Sequence, residues 1–179
     1  MRSKNVKLYL PWFFHEKKTG SISINRKDQK IAWNLYCDLI TRDGVANYNP
    51  DEENFHQTLK SWIQFQKYVR QNLKNIDPPL MIKNSLNELP KDLRSEKTEL
   101  LSSIMIKLIT DHLHPFLRHW YPLTKQHVKS LESKKSQEPL DILEEQKKMK
   151  NYSKMLEEIK GIQTILNNTA EALRKIASS

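Results

Sequence analysis

The chain has 179 residues, with 30 Lys or Arg against 21 Asp or Glu, so its formal net charge is +9 and its isoelectric point is near 9.5. A hydrophobic fraction of 37%, a charged fraction of 28% and a mean hydropathy of −0.73 favour a single soluble domain. A membrane-embedded protein is excluded, because no apolar run approaches the roughly 18 residues that span a bilayer. Only three glycines are present, which argues against Gly-rich phosphate loops and leaves a mainly helical fold.

The N-terminus and the cysteine content indicate a cellular compartment. The single cysteine, Cys37, lies between apolar positions of a predicted helix, so neither a disulfide framework nor a cysteine-rich zinc site is predicted. Pro11 interrupts the apolar stretch that follows the basic N-terminal residues, and no small-residue cleavage site follows it, which argues against a signal peptide. We therefore expect a cytoplasmic protein without a membrane partner.

Residues 1–24 are predicted to form a basic N-terminal arm or a short β-hairpin. Apolar residues alternate with polar ones over residues 6–10 and again over residues 21–24, and residues 17–20 between them have the composition of a turn. Because two strands alone are marginally stable in water, this segment needs support from the helical body or from a partner.

Residues 25–179 are predicted to form an antiparallel bundle of about four helices, near residues 26–43, 51–76, 95–121 and 139–177. The first helix follows a cap candidate, Asn25, and Gly44 marks its end; Trp33 and Cys37 can widen its apolar face. The second follows Pro50 and has acidic residues in its first turn. The last carries a narrow apolar stripe, which is typical of a coiled-coil-like seam.

The third predicted helix contains a proline, Pro115. Proline lacks a backbone donor and disfavours the α conformation of the residue before it, His114. We therefore expect the helix to bend or stop between Asp111 and Phe116. The polar and charged residues 129–138 that follow the helix predict either a loop or the frayed end of a helix.

The densest histidine cluster contains Asp111, His112 and His114, with His119 and His127 further along. Imidazole and carboxylate groups are common ligands of zinc and manganese. However, side chains two residues apart on a helix point to different faces, and the intervening proline is expected to separate the others. Ordinary core or surface histidines are therefore the favoured interpretation, and no metal site is predicted.

No catalytic motif is present. Small helical ribonucleases of the HEPN type place a histidine a few residues after an arginine, whereas Arg118 directly precedes His119 and no arginine has the required spacing. G-x-S-x-G, Walker and H-E-x-x-H motifs are absent, and paired acids such as Glu144 and Glu145 fit a solvent-exposed helix face. We predict no enzyme activity and no cofactor. The one cluster to test for catalysis comprises His112, His114, Arg118 and His119.

Positive charge is concentrated at the N-terminus, since residues 1–30 contain eight basic and two acidic residues. Aromatic residues are interleaved with these cations, and this composition can bind phosphates and stack on bases. The candidate nucleic-acid-binding residues are Lys4, Lys7, Lys17, Lys18, Arg26 and Lys27. The same arm can instead dock on protein through Trp12, Phe13 and Phe14.

A second aromatic group follows the expected proline bend and consists of Phe116, Trp120 and Tyr121. These residues either pack at one end of the bundle or form a patch that binds a partner, and both alternatives remain open at this point. With Trp12, Phe13 and Phe14 they are the candidate partner-binding residues.

Three stretches resemble a group of small bacterial helical proteins associated with mobile elements and anti-phage defence islands. They are residues 31–42 (IAWNLYCDLITR), 108–122 (LITDHLHPFLRHWYP) and 168–177 (NTAEALRKIA). The resemblance covers most of residues 20–177 and brings no catalytic signature with it. It implies an accessory subunit whose activity belongs to a partner.

Taken with the missing catalytic motifs, these features predict a non-enzymatic interaction subunit of a bacterial complex, plausible in anti-phage defence. Its partner would be another protein or a second copy of the chain. The alternative is a nucleic-acid-binding helical module that uses the basic arm.

Overall fold

The computed structural model describes residues 4–14, 19–45, 48–49, 51–75, 101–133 and 141–179. In chain order its elements are β1 (Lys4–Tyr9), α1 (Pro11–Phe14), β2 (Thr19–Ile24), α2 (Arg26–Ile40), α3 (Phe55–Leu73), α4 (Leu101–Lys107), a π-helical segment (Leu108–Leu113), α5 (His114–Glu132), α6 (Ile142–Lys147) and α7 (Tyr152–Ala177). The prediction of a mainly helical fold with a short N-terminal hairpin is confirmed. Residues 80–94, between the second and third predicted helices, and the predicted start of the third helix at residue 95 lie outside the described residues.

Strands β1 and β2 pair in antiparallel fashion, with Lys4 opposite Ile24 and Tyr9 opposite Thr19. Successive side chains point to opposite faces of a strand, so one face of the hairpin is buried and the other carries exposed Lys7 and Tyr9. The buried face includes Leu8, Leu10, Ile22 and Ile24. Helix α7 contacts β1 and helix α2 contacts β2, so the helical body supplies the support that an isolated hairpin lacks.

Helix α2 begins with a capping box. The Asn25 side chain accepts hydrogen bonds from the backbone N–H groups of Lys27 at 2.8 Å and Asp28 at 3.0 Å, and the Asp28 carboxylate accepts one from the Asn25 N–H at 2.9 Å. Its apolar face packs mainly against α7. The helix ends at Ile40, before the predicted residue 43, and Gly44 follows in a turn with φ of +70°.

Helix α3 begins at Phe55, whereas the sequence predicts its start at the acidic turn before it. The start is at Phe55 because the Asn54 side chain caps the helix by accepting from the N–H groups of His56 and Gln57. A buried glutamine joins this end of the helix to α6. The side-chain oxygen Oε1 of Gln146 accepts from the Phe55 N–H at 3.1 Å, and its side-chain Nε2 donates to the backbone carbonyl of Glu53 at 3.2 Å. This link holds α6 against the start of α3.

The interruption expected at Pro115 takes a different form from the one predicted. His114 has α-helical φ and ψ of −65° and −47°, so the expectation for its backbone is wrong, and the helical backbone does not stop between Asp111 and Phe116. Instead, the hydrogen-bond pattern changes to that of a π-helix over Leu108–Leu113. The wider π turn precedes the proline and accommodates the missing donor and the ring of Pro115, which lies in the first turn of α5.

Helix α5 continues through Pro122 to Glu132, beyond the predicted end at residue 121. Residues 129–132 are its last turn, so the helix-end alternative applies to them and the loop alternative does not. Thr124 and Leu131 are both buried, so packing of this half of the helix against the core overrides the local effect of the proline and of the polar composition.

The predicted helix at 139–177 is two helices, α6 and α7. Asn151 separates them with a left-handed backbone conformation, φ of 64° and ψ of 25°, which asparagine tolerates better than most residues. Burial of Gln146 and Met149 fixes the turn on the core. None of the helices within the described ranges is both long enough and apolar enough to cross a membrane.

Candidate functional site

A groove of about 400 Å³ lies between the π-helical segment and the start of α5 on one side and the middle of α7 on the other. Its polar lining consists of Asp111, His112, His119 and Glu158, and its apolar lining includes Phe116 and Ile162. We call it the π groove. π-Helical segments are rare and occur frequently at functional sites.

The π groove brings together residues that the sequence analysis expected to be separated. His112 belongs to the π-helical segment and His119 to α5, and both line the groove because the helical backbone continues past the proline. His114 and Arg118 are exposed and are not among its lining residues. Glu158 was not a candidate, because its sequence context indicates only a solvent-exposed helix face. Its place in the groove depends on how α7 packs against α5.

A buried tryptophan orients Glu158. The indole Nε1 of Trp120 donates to Glu158 Oε2 at 2.7 Å, and Trp120 has none of its surface exposed. The imidazole of His119 packs edge-on against the Trp120 ring, with centroids 4.6 Å apart. One carboxylate oxygen of Glu158 is therefore held by a rigid part of the core.

His112 presents a buried nitrogen without a partner. Its Nε2 is buried and forms no hydrogen bond with any residue in the described part of the chain. Its ring packs edge-on against Trp12 at 5.2 Å between centroids. Burial lowers the pKa of His112 below its ordinary 6.5, so the ring is neutral at pH 7 and one of its nitrogens is a hydrogen-bond acceptor.

The neutral state of His112 predicts a pH effect on stability. Because the folded-state pKa lies below that of the unfolded chain, the unfolded state binds more protons below pH 6.5, and the free energy of unfolding should fall as the pH decreases through that value. Urea unfolding at several pH values between about 7 and 5.5 measures this slope. His112→Gln should reduce the slope but not remove it, because burial also lowers the pKa of His56. An equal slope in the His112 variant would contradict the assignment.

The aromatic candidates lie mostly in the core. Phe13, Phe116 and Trp120 are buried and belong to the hydrophobic core, where Phe116 contacts Trp62 at 5.7 Å between ring centroids. Trp12 and Tyr121 are half-buried, and Tyr121 stacks on His56 with centroids 5.2 Å apart. Phe14 is the last residue of α1. Phe13 and Trp120 cannot contact a partner without opening the core, whereas the small exposed part of Phe116 lines the π groove.

The basic candidates are distributed along the hairpin and the start of α2. Lys7 is exposed on β1, and Arg26 and Lys27 are exposed in the first turn of α2. Lys4 is the first residue of β1. Lys17 and Lys18 lie outside the described residues.

A second surface feature lies on helix α2. Trp33 is 53% exposed and Ile40 is 45% exposed, so the expectation that Trp33 widens the buried face of α2 is wrong. Both lie with the half-buried Cys37 on the side of α2 opposite Leu35 and Leu39, as the helical period requires. We call the surface formed by Arg26, Lys30, Trp33, Cys37 and Ile40 the α2 strip.

No family model matches the chain, and no curated protein and no solved structure is significantly similar to it. The resemblance to bacterial defence-island proteins therefore stays a prediction. Within the described ranges, no group of three or more His, Cys, Asp or Glu side chains is arranged to hold a metal ion.

Proposed function

We propose that the protein is a non-enzymatic interaction subunit that binds a protein partner through the α2 strip. The observation that carries this proposal is the exposure of Trp33 at the centre of a helix whose opposite face is buried. Trp33 is supported by Tyr36, with ring centroids 5.8 Å apart. Tryptophan is enriched among residues that dominate binding energy at protein interfaces, and exposing it without a partner keeps a large apolar surface in water.

The charges on the α2 strip indicate the chemistry of the partner. Arg26 and Lys30 lie at the N-terminal end of the strip, and Ile40 lies at the other end. A complementary surface would be apolar opposite Trp33 and Ile40 and acidic opposite the two cations. We assign this surface to an amphipathic helix of another protein, which fits a face with spacing of three and four residues. Membership of an anti-phage defence complex rests on the sequence resemblance alone.

Site-specific cross-linking tests the proposal. A photo-reactive residue at position 33 should capture one protein, and the same residue at position 123 should not, because Leu123 is similarly exposed but lies on α5. In the purified complex, Trp33→Ala should weaken binding by about tenfold or more, and Leu123→Ala should change it little. Identical products from both positions, or an unchanged affinity of Trp33→Ala, would refute the proposal that the α2 strip is the binding surface. A cross-link to a second copy of the chain would show that the strip forms a homodimer interface instead.

A second candidate function, nucleic-acid binding, is favoured by the register of the hairpin. The antiparallel pairing puts Lys7 opposite Ser21 and Tyr9 opposite Thr19, and Tyr9 is 51% exposed. An exposed aromatic ring beside cations can stack on a base while the cations contact phosphates. If this interpretation is correct, Lys7→Gln should reduce the salt dependence of oligonucleotide binding by about one ion, and Tyr9→Ala should weaken binding at every salt concentration.

A further inference from the structure

Helix α3 has an exposed face that carries positive charge and no acidic residue. Residues 54–76 include four Lys or Arg and no Asp or Glu. Five exposed positions follow one another at intervals of four and three residues, which places them on a single face of the helix, opposite the buried Trp62 and Val69. They are Lys60, Gln64, Lys67, Gln71 and Lys74, and we call this surface the α3 face.

The cations of α3 lack the acidic partners that an ordinary solvent-exposed helix supplies. None of the four forms an ion pair with a side chain in the described part of the chain. Helix α7 shows the ordinary pattern, since acids alternate there with cations and Arg174 pairs with Glu171 at 2.8 Å. The α3 face is therefore complementary to an anionic surface.

The positive surface extends from the α3 face to helix α5, which packs against α3. Burial lowers the pKa of His56, in the first turn of α3, and the nearby cations Lys60 and Lys125 lower it further against the opposing effect of Glu132. Lys125 is exposed on α5. The acidic residues 51–53 precede α3, so the positive surface begins at Lys60 and continues toward the end of the helix.

The residue types of the α3 face favour a nucleic-acid duplex over other anionic partners. Protein interfaces are anchored by buried aromatic or other large side chains, and a membrane-surface helix inserts an apolar face, whereas the α3 face consists of Lys and Gln alone. Lysine neutralises phosphates, and glutamine hydrogen-bonds to phosphate and sugar oxygens. Single strands are bound by stacking of bases on aromatic rings, and the α3 face contains no aromatic residue.

We propose that the α3 face binds the backbone of duplex DNA, with Lys60, Lys67 and Lys74 contacting phosphates. The 14 residues from Lys60 to Lys74 span about 21 Å of helix, which exceeds the roughly 12 Å width of the major groove. The lysines can thus reach phosphates on both sides of the groove. The major groove of duplex RNA is too deep and narrow for side chains to enter, so DNA is the preferred duplex. This surface is separate from the α2 strip and from the hairpin.

Fluorescence anisotropy with a labelled DNA duplex of about 20 base pairs tests the proposal. At about 50 mM salt we expect a dissociation constant on the order of 10 µM or lower, which weakens steeply as salt is added. The single strand and the RNA duplex of the same sequence should each bind more weakly than the DNA duplex. A polyglutamate peptide of the same total charge should compete poorly, because it offers no phosphates.

Two triple variants of equal charge locate the binding. Replacing Lys60, Lys67 and Lys74 together by Gln should weaken duplex binding by about tenfold or more and reduce the slope of log affinity against log salt by about 2.5–3. The control replaces Lys154, Lys160 and Lys175, which are exposed on α7, and should change the affinity less than about threefold. All six side chains are exposed, so both variants should keep the wild-type melting temperature.

Single variants separate this proposal from the two surfaces described above. Trp33→Ala and Tyr9→Ala should both leave duplex binding unchanged, and the α3 variant should still bind the partner of the α2 strip. Loss of duplex binding in Tyr9→Ala with none in the α3 variant would place the nucleic-acid site on the hairpin and overturn the proposal. Equal losses in the two triple variants, equal competition by polyglutamate, tighter binding of the single strand, or no duplex binding at about 100 µM protein would also overturn it.

Discussion

Trp120→Ala should lower the free energy of unfolding by about 3–5 kcal/mol, measured by urea denaturation. The side chain lies on α5, is fully buried and donates to Glu158 of α7, so its removal leaves a cavity in the core. The variant also leaves Glu158 without the donor that orients it. A smaller substitution, Trp120→Phe, separates the two effects, because it keeps most of the ring volume and removes only the indole N–H.

Trp33→Ala is the matched control for Trp120→Ala, since both remove a tryptophan from a helix. Trp33 is about half exposed, and its removal should change the free energy of unfolding by no more than about 1 kcal/mol while weakening partner binding. If Trp120→Ala kept the wild-type stability and lost only partner binding, Trp120 would be an interface residue after all. The two variants therefore distinguish core from surface tryptophans in one experiment.

The general architecture is predictable from the sequence because its signals are local. The alternation of apolar and polar residues in residues 6–10 indicates a strand, and the apolar period after Asn25 indicates a helix with a cap. These features depend only on the side-chain periods of 2 and 3.6 residues. The hairpin and the helix starts at Arg26, Phe55 and Ile142 therefore lie within a few residues of their predicted positions. The break at Asn151 is the exception, because a single left-handed residue there divides a continuous apolar stripe.

The candidate site is less predictable because it depends on tertiary packing. Pro115 carries a strong local signal for a helix break, whereas the structure has a π-helical segment at Leu108–Leu113 before the proline. Glu158 differs from neighbouring surface acids only in facing Trp120 across the core. The exposure of Trp33 is equally hard to predict, because an apolar residue beside the buried face of a helix is usually assigned to the core.

A single methyl group should have a large effect on stability at Gly44, in the turn after α2. Gly44 has φ of +70°, a conformation that costs an L-residue about 1–2 kcal/mol. The Cβ of an alanine at this position would also overlap the methyl group of Thr58, which is buried on α3. Gly44→Ala should therefore lower the free energy of unfolding by about 2–4 kcal/mol, as the sum of backbone strain and overpacking.

A double-mutant cycle with Thr58→Ser separates the two causes. Serine keeps the hydroxyl that lies 3.5 Å from Glu53 Oε2 and removes the methyl group that an alanine at position 44 would meet. The double variant should thus recover the steric part of the loss and retain the backbone part, about 1–2 kcal/mol. Gly161→Ala is the control for the glycine substitution itself: it lies inside a helix with open space around it, so the added methyl should raise stability by about 0.5–1 kcal/mol. A loss of stability at position 161 as large as at position 44, or no rescue by Thr58→Ser, would show that the close contact between this turn and α3 does not limit residue 44.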